Sequence, residues 1–193
     1  PAEHPRDRRP PLFRILLAAR TWRRSTGPMD TAGSGAVGER AGEETVIVST
    51  VGAVRVVTID RPLVRSAVDR VTAERLRQAF VDLDEDDGVV AAVLTGAEGT
   101  FCAGADLGAV AAGRGNRMTL DGPGSMGPTR LRTTKPVIAA VEGHAVAGGL
   151  ELAIWADLRV AGRSAVFGVF CRRWGVPLVD GEALRTAIDL AAS

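Results

Sequence analysis

Two stretches of this sequence place glycine where a β-branched apolar run gives way to a helical pattern. The first, Thr100-Phe101-Cys102-Ala103-Gly104-Ala105-Asp106-Leu107, comes soon after the run Val89–Leu94. The second, Gly143-His144-Ala145-Val146-Ala147-Gly148-Gly149-Leu150-Glu151, comes just after Val137–Val141. Backbone N–H groups at the start of a helix have no intrahelical partner, and that end of the helix dipole is positive. Two such junctions facing each other can hold one developing oxyanion between two N–H donors. Glu151, in the opening turn of the second helix, adds a carboxylate able to take up and return a proton. The same residues also describe two ordinary tight turns, with a glutamate placed to complement a helix dipole, and both readings stay open on the residues alone. Neither junction matches GxGxxG or GxxxxGK[ST], so phosphate loops of those kinds are not supported.

The elements that must position these junctions can be read from periodicity. Val46-Ile47-Val48 and Val54-Arg55-Val56-Val57-Thr58-Ile59, separated by Val51-Gly52-Ala53, predict a hairpin that ends at Arg61-Pro62. Leu76, Ala79, Phe80 and Leu83 recur at helical spacing, which predicts an amphipathic helix with Thr72 as its N-cap, closing near Asp86-Asp87-Gly88. Val89–Leu94 and Val137–Val141 are continuous apolar runs, the kind buried on both faces of a parallel sheet. Leu150–Ala156 suits a helix opening at Gly148-Gly149, and Leu158-Arg159-Val160 a short strand. Residues 113–128, rich in glycine with two prolines, read as a mobile loop. Alternating strands and helices predict an α/β fold with parallel pairing in a single domain.

Composition excludes several functions. The 193 residues are 46% apolar, enough for one sizeable core. The net charge of +1 is a sum of unlike parts: residues 1–28 hold seven arginines against Glu3 and Asp7, while the remainder is net acidic. The near-neutral total therefore argues for neither nucleic acid nor an anionic membrane surface as partner. Lys135 is the single lysine. Two cysteines, Cys102 and Cys171, and two widely spaced histidines, His4 and His144, suggest free thiols in a reducing cytoplasm and no metal site. No apolar run approaches the roughly 20 residues that span a bilayer. Residues 1–45 read as a disordered basic leader and a Gly/Ser-rich linker, with Met29 marking the change in composition.

Five segments carry a family resemblance: Ile59-Asp60-Arg61-Pro62 with Arg65-Ser66-Ala67; Phe101–Leu107; Lys135-Pro136-Val137–Gly143; Gly148-Gly149-Leu150-Glu151-Leu152-Ala153; and Ala156-Asp157-Leu158-Arg159-Val160-Ala161. In order and spacing, across residues 46–176, they resemble the enoyl-CoA hydratase/isomerase (crotonase) family. The resemblance implies a β-β-α spiral fold, a homotrimer or hexamer, and an acyl-CoA thioester as substrate, with no separate cofactor. It implies oxyanion donors at the N–H groups of Ala105 and Gly148 and a catalytic acid/base at Glu151, for hydration of a 2-enoyl-CoA in fatty-acid metabolism. It also implies CoA contacts at Arg65 and Ala67 and along Cys102, Ala103, Gly104, Asp106 and Leu107, although Arg65 equally suits a solvated surface position. Two departures stand out. Cys171 occupies the place of the family's second glutamate, with Arg172 and Arg173 following. The chain also stops at Ser193, short of the family's C-terminal helices. These departures leave a weakly active or non-catalytic acyl-CoA binder as the alternative.

Overall fold

The β-branched runs at the start pair as the antiparallel hairpin of strands β1 (Val46–Val51) and β2 (Val54–Ile59), closed by the two residues Gly52 and Ala53. Glycine's freedom at positive φ suits so tight a turn. In this computed structural model the described residues are 44–119, 121–171, 175, 178, 180 and 181. The leader, most of the linker, Arg172, Arg173 and residues 182–193 lie outside them. Helix α1 (Arg70–Glu85) follows the hairpin, then β3 (Ala91–Gly96), the short helix α2 (Leu107–Ala111), β4 (Val137–Val141) and β5 (His144–Val146). Helix α3 (Gly148–Trp155), β6 (Leu158–Ala161) and β7 (Val166–Gly168) complete the described elements.

One sheet has the order β1-β2-β3-β4-β6, parallel from β2 onward; a second pairs β5 with β7 in parallel. The chain turns a corner after each of the parallel strands β2, β3, β4 and β6, and successive corners stack through backbone bonds. Ala103 N–H donates to Arg65 O, Phe101 N–H to Glu142 O, and Val166 N–H to Gly143 O. The stack is the spiral that the family resemblance implies; the strands of its second face, β5 and β7, do not show in the sequence pattern. Three-residue strands such as β5 and β7 are too short to register as periodicity.

The core lies between the first sheet and α1. Leu76, Phe80 and Leu83 of α1 are fully buried against Val57, Ile59, Leu94 and Val137 in one cluster. Each such side chain contributes roughly 1.5–3 kcal/mol through removal from water. The Phe80 ring meets Trp155 of α3 edge-on with centroids 4.8 Å apart, which joins the second helix to the same core.

Three sequence expectations are corrected. The N-cap of α1 is Asp69, whose carboxylate accepts the Thr72 N–H at 2.8 Å; Thr72 lies inside the first turn. Both residue types cap helices, and only Asp69 also has a cation to pair with. Strand β3 begins at Ala91, two residues later than expected, because Val90 N–H pairs with Ala53 O outside the ladder. Within the stretch read as a mobile loop, residues 124–128 are buried. Its glycines serve close packing there rather than freedom.

Burial alone would raise the Asp69 carboxyl, but the Thr72 N–H and the nearby Arg61 outweigh it and hold it below the ordinary value. A depressed carboxyl stabilises the fold above its unfolded pKa of about 3.9, and that contribution is lost as pH falls through the folded value. Urea titrations should show Asp69→Asn clearly less stable than the parent at pH 7, with the difference shrinking toward pH 3. A pH-independent difference would contradict the assignment.

Candidate active site

The two glycine junctions come together as adjacent layers of the spiral. Cys102 N–H donates to His144 O at 2.9 Å, and Val146 N–H returns to Cys102 O at 3.1 Å. Cys102 O also faces Gly149, where an added Cβ would lie 2.2 Å from it. Gly104, at φ +96°, runs so close to the second junction that a Cβ would stand 3.1 Å from the Gly148 nitrogen. Glycine is required at Gly149 because the Cys102 carbonyl fills the space of a side chain, and favoured at Gly104 by its left-handed backbone and the tight approach.

On the other side of the first junction, Val68 N–H donates to Gly104 O at 2.8 Å and Asp106 N–H to Val68 O at 3.0 Å. In a parallel bridge this leaves the intervening Ala105 N–H pointing away from its neighbour. Ala105 N–H has no hydrogen-bond partner among the described residues. Gly148 N–H, at the first position of α3, has none either. Ala147, the N-cap of α3, is held at φ 51°, ψ −123°, a conformation that costs a residue with a Cβ about 1–3 kcal/mol. Its N–H donates to Gly168 O, and its carbonyl accepts from Leu150 and Glu151, so the surrounding bonds hold it there.

Glu151 is 1% exposed, one turn into α3, and its Oε1 accepts the Gly181 N–H at 3.0 Å. A buried carboxylate thus follows one turn after the Gly148 N–H at the start of α3, with the Ala105 N–H, also unpaired among the described residues, in the layer packed against it, groups of the kind that polarise a carbonyl oxygen and move a proton. Met126 lies against Gly148, with Sδ 2.5 Å from where a Cβ would be, and supplies an apolar wall.

Arg61 braces the first junction. Its guanidinium pairs with Asp106 at 2.9 Å and Asp69 at 3.2 Å and donates to Ala67 O at 2.7 Å. These two aspartates cap α2 and α1, so one side chain sets the spacing of both helix starts. Asn116 adds a second brace, donating from Nδ2 to Val68 O and Ser125 O.

The expected site residues fall into two groups. Ala105 and Gly148 lie in adjacent layers with Cys102, Ala103 and Gly104, and Glu151 follows one turn into α3. Asp106 is engaged by Arg61, and Ala67 is buried beside it. Leu107 is half-exposed on the outer side of α2. Arg65, exposed and at φ 55°, lends its carbonyl to Ala103; its guanidinium has no partner among the described residues. Cys102 is fully buried, and that burial pushes its thiol up to about 12, so it is an inert packing group. Cys171 is also buried. Among the described residues no cluster of His, Cys, Asp or Glu suits a metal ion. Sequence reasoning missed Arg61 as a brace, Met126 as a wall, and Asp180-Gly181. The only hint of the last was an Asp-Gly pair, a common turn dipeptide.

Opposite stability changes are expected on either side of Gly148. Ala147→Gly relieves the Cβ strain and should raise the unfolding free energy by about 0.5–2 kcal/mol after allowing for added chain entropy. Gly149→Ala drives a methyl into Cys102 O and should lower it by about 2–3 kcal/mol. Equilibrium denaturation of both variants checks the pair, and a lowered midpoint for Ala147→Gly would refute the strain.

Comparison with known proteins agrees with this architecture. The family model described as enoyl-CoA hydratase/isomerase matches residues 49–181. The enoyl-CoA hydratase EchA19 of Mycobacterium tuberculosis is 41% identical over 137 residues, covering 67% of this chain and 51% of that protein. A carnitinyl-CoA dehydratase of Proteus mirabilis is 35% identical over 144 residues, covering 74% of this chain and 55% of that one. Among solved structures, the enoyl-CoA hydratase EchA1 of Mycobacterium marinum superposes with a TM-score of 0.67 at 40% identity, covering 72% of this chain and 54% of that chain. The chain thus spans about half the length of the curated relatives it matches. From its sequence and its spiral fold, the chain belongs to the enoyl-CoA hydratase/isomerase family.

Proposed function

We propose that this chain carries the acyl-CoA site of a hydratase, in which the thioester oxygen sits between the N–H groups of Ala105 and Gly148. The observation that supports the reading is that these two N–H groups, unpaired among the described residues, lie in adjacent layers, with the buried Glu151 one turn into the helix that Gly148 opens. Hydration of a 2-enoyl-CoA joins the oxygen of water to Cβ and a proton to Cα. As the new C–O bond forms, electrons move onto the thioester oxygen to give an enolate. Two fixed N–H donors stabilise that charge without reorganising, and the positive end of α3 adds to the effect. Glu151 takes the proton of the attacking water and returns one to Cα, so the carboxylate is regenerated. Cys171 stands where the resemblance puts a second glutamate, which leaves Glu151 to serve both transfers. Arg65, exposed beside Ala103 and unpaired among the described residues, is the candidate for a CoA phosphate.

Loss of the enoyl absorbance of crotonyl-CoA reads this reaction directly. Glu151→Gln keeps the shape and the Gly181 contact while removing the base, and should slow hydration by about 10²–10⁴-fold. Calorimetric affinity for the CoA thioester should change little. Turnover unchanged in Glu151→Gln would refute the role of the carboxylate. No turnover by the parent chain would refute the hydratase reading.

A further inference from the structure

Asp180 lies far in sequence from the residues it holds, and no feature of the reaction proposed above requires it. Its side chain is 4% exposed. Oδ1 accepts the Ser125 N–H at 2.5 Å; Oδ2 accepts the Met126 N–H at 3.1 Å and the Thr129 hydroxyl at 2.6 Å. A carboxylate buried with this many donors is a strong, directional anchor. What it anchors is specific. Met126 is the residue packed against Gly148, and residues 128–130 form the short helical turn that leads into Leu131, whose carbonyl accepts from Trp155 of α3. The very next residue after Asp180, Gly181, gives its N–H to Glu151 Oε1.

We infer that Asp180 is a positioning residue for Glu151. It fastens the 125–129 segment at one end of a single peptide unit and the Glu151 carboxylate at the other, so the wall over Gly148 and the acid/base are set by one clamp. The inference rests on the reading of Glu151 as the acid/base. With its oxygens occupied by three donors, Asp180 acts as a fixed acceptor, and the proton traffic stays with Glu151. Asparagine cannot replace it: one oxygen becomes an NH₂ that faces a donor, so at least one of the three bonds is lost. A shift of about 1 Å at an acid/base costs as much as 10²-fold in rate, so the effect on chemistry should exceed the effect on binding.

The Gly181 amide resonance of the ¹⁵N-glycine-labelled full chain, identified by its absence in Gly181→Ala, reads the clamp without turnover. In the parent it should titrate with Glu151. In Asp180→Asn it should move upfield as the contact opens and lose that titration, whereas Glu151→Gln removes the titration with the contact kept, and the other glycine resonances keep their dispersion. Should Asp180→Asn not fold, Thr129→Val removes one of the three bonds, and a smaller displacement in the same direction is expected. An unmoved Gly181 resonance in either folded variant overturns the clamp. On crotonyl-CoA, Asp180→Asn should lower kcat by about 10–10²-fold with KM within about threefold. The double variant with Glu151→Gln should be no slower than Glu151→Gln alone, and multiplied losses would overturn action through Glu151. A parent that shows the Gly181 behaviour but no hydration keeps the clamp and removes the hydratase reading.

Discussion

The close approach of two backbones, Cys102–Ala105 against His144–Gly149, is the constraint on which the remaining structure depends. Hydrogen bonds from both sides of Cys102 lock the layers together, and its carbonyl presses on a position where no Cβ fits. The layers in register there carry the N–H groups of Ala105 and Gly148, both unpaired among the described residues. A side chain at Gly149 would push the Cys102 layer away from the start of α3. Strain at Ala147 belongs to the same constraint: the chain must reverse sharply from β5 into α3 while its N–H remains bonded to Gly168. The surrounding bonds sustain that conformation, as they do wherever a strained residue persists in a fold.

Around this contact the protein uses ionic braces rather than more apolar mass. Arg61 joins Asp69 and Asp106, so the starts of α1 and α2 are held to one guanidinium with little room to drift. Asn116 ties Val68 to the 125–129 segment, and Asp180 ties that segment onward. The braces are half-buried or buried and each makes more than one bond, which sets them apart from surface ion pairs of small net value. Their common effect is directional. A hydrophobic core fixes distances loosely, whereas a carboxylate with several donors fixes orientation, and an acid/base group needs orientation.

Much of the fold was legible in the sequence. The hairpin, α1, β4 and α3 each have a period or a run that belongs to one kind of element, and their order implies the parallel sheet. What was misread had a physical cause. Asp69 and Thr72 both carry capping oxygens three residues apart, and the choice between them depends on Arg61, which is brought in by the fold. The 113–128 stretch has a loop's composition, yet its later part is buried, because glycine serves close backbone packing as well as it serves flexibility. Strands β5 and β7 carry too few residues for alternation to show.

The sequence by itself determined the local chemistry: glycines at two strand-to-helix junctions, a carboxylate in the first turn of α3, and apolar runs long enough to bury. Those are properties of neighbouring residues, set by propensity, periodicity and helix-end electrostatics. The tertiary structure alone decided which groups meet. That Ala105 N–H is left unpaired follows from Val68 bonding to either side of it, and that Glu151 has a backbone donor follows from Asp180-Gly181 being folded back onto it. Both are contacts between residues tens of positions apart. No local rule encodes them, because they depend on how the layers of the spiral stack in register.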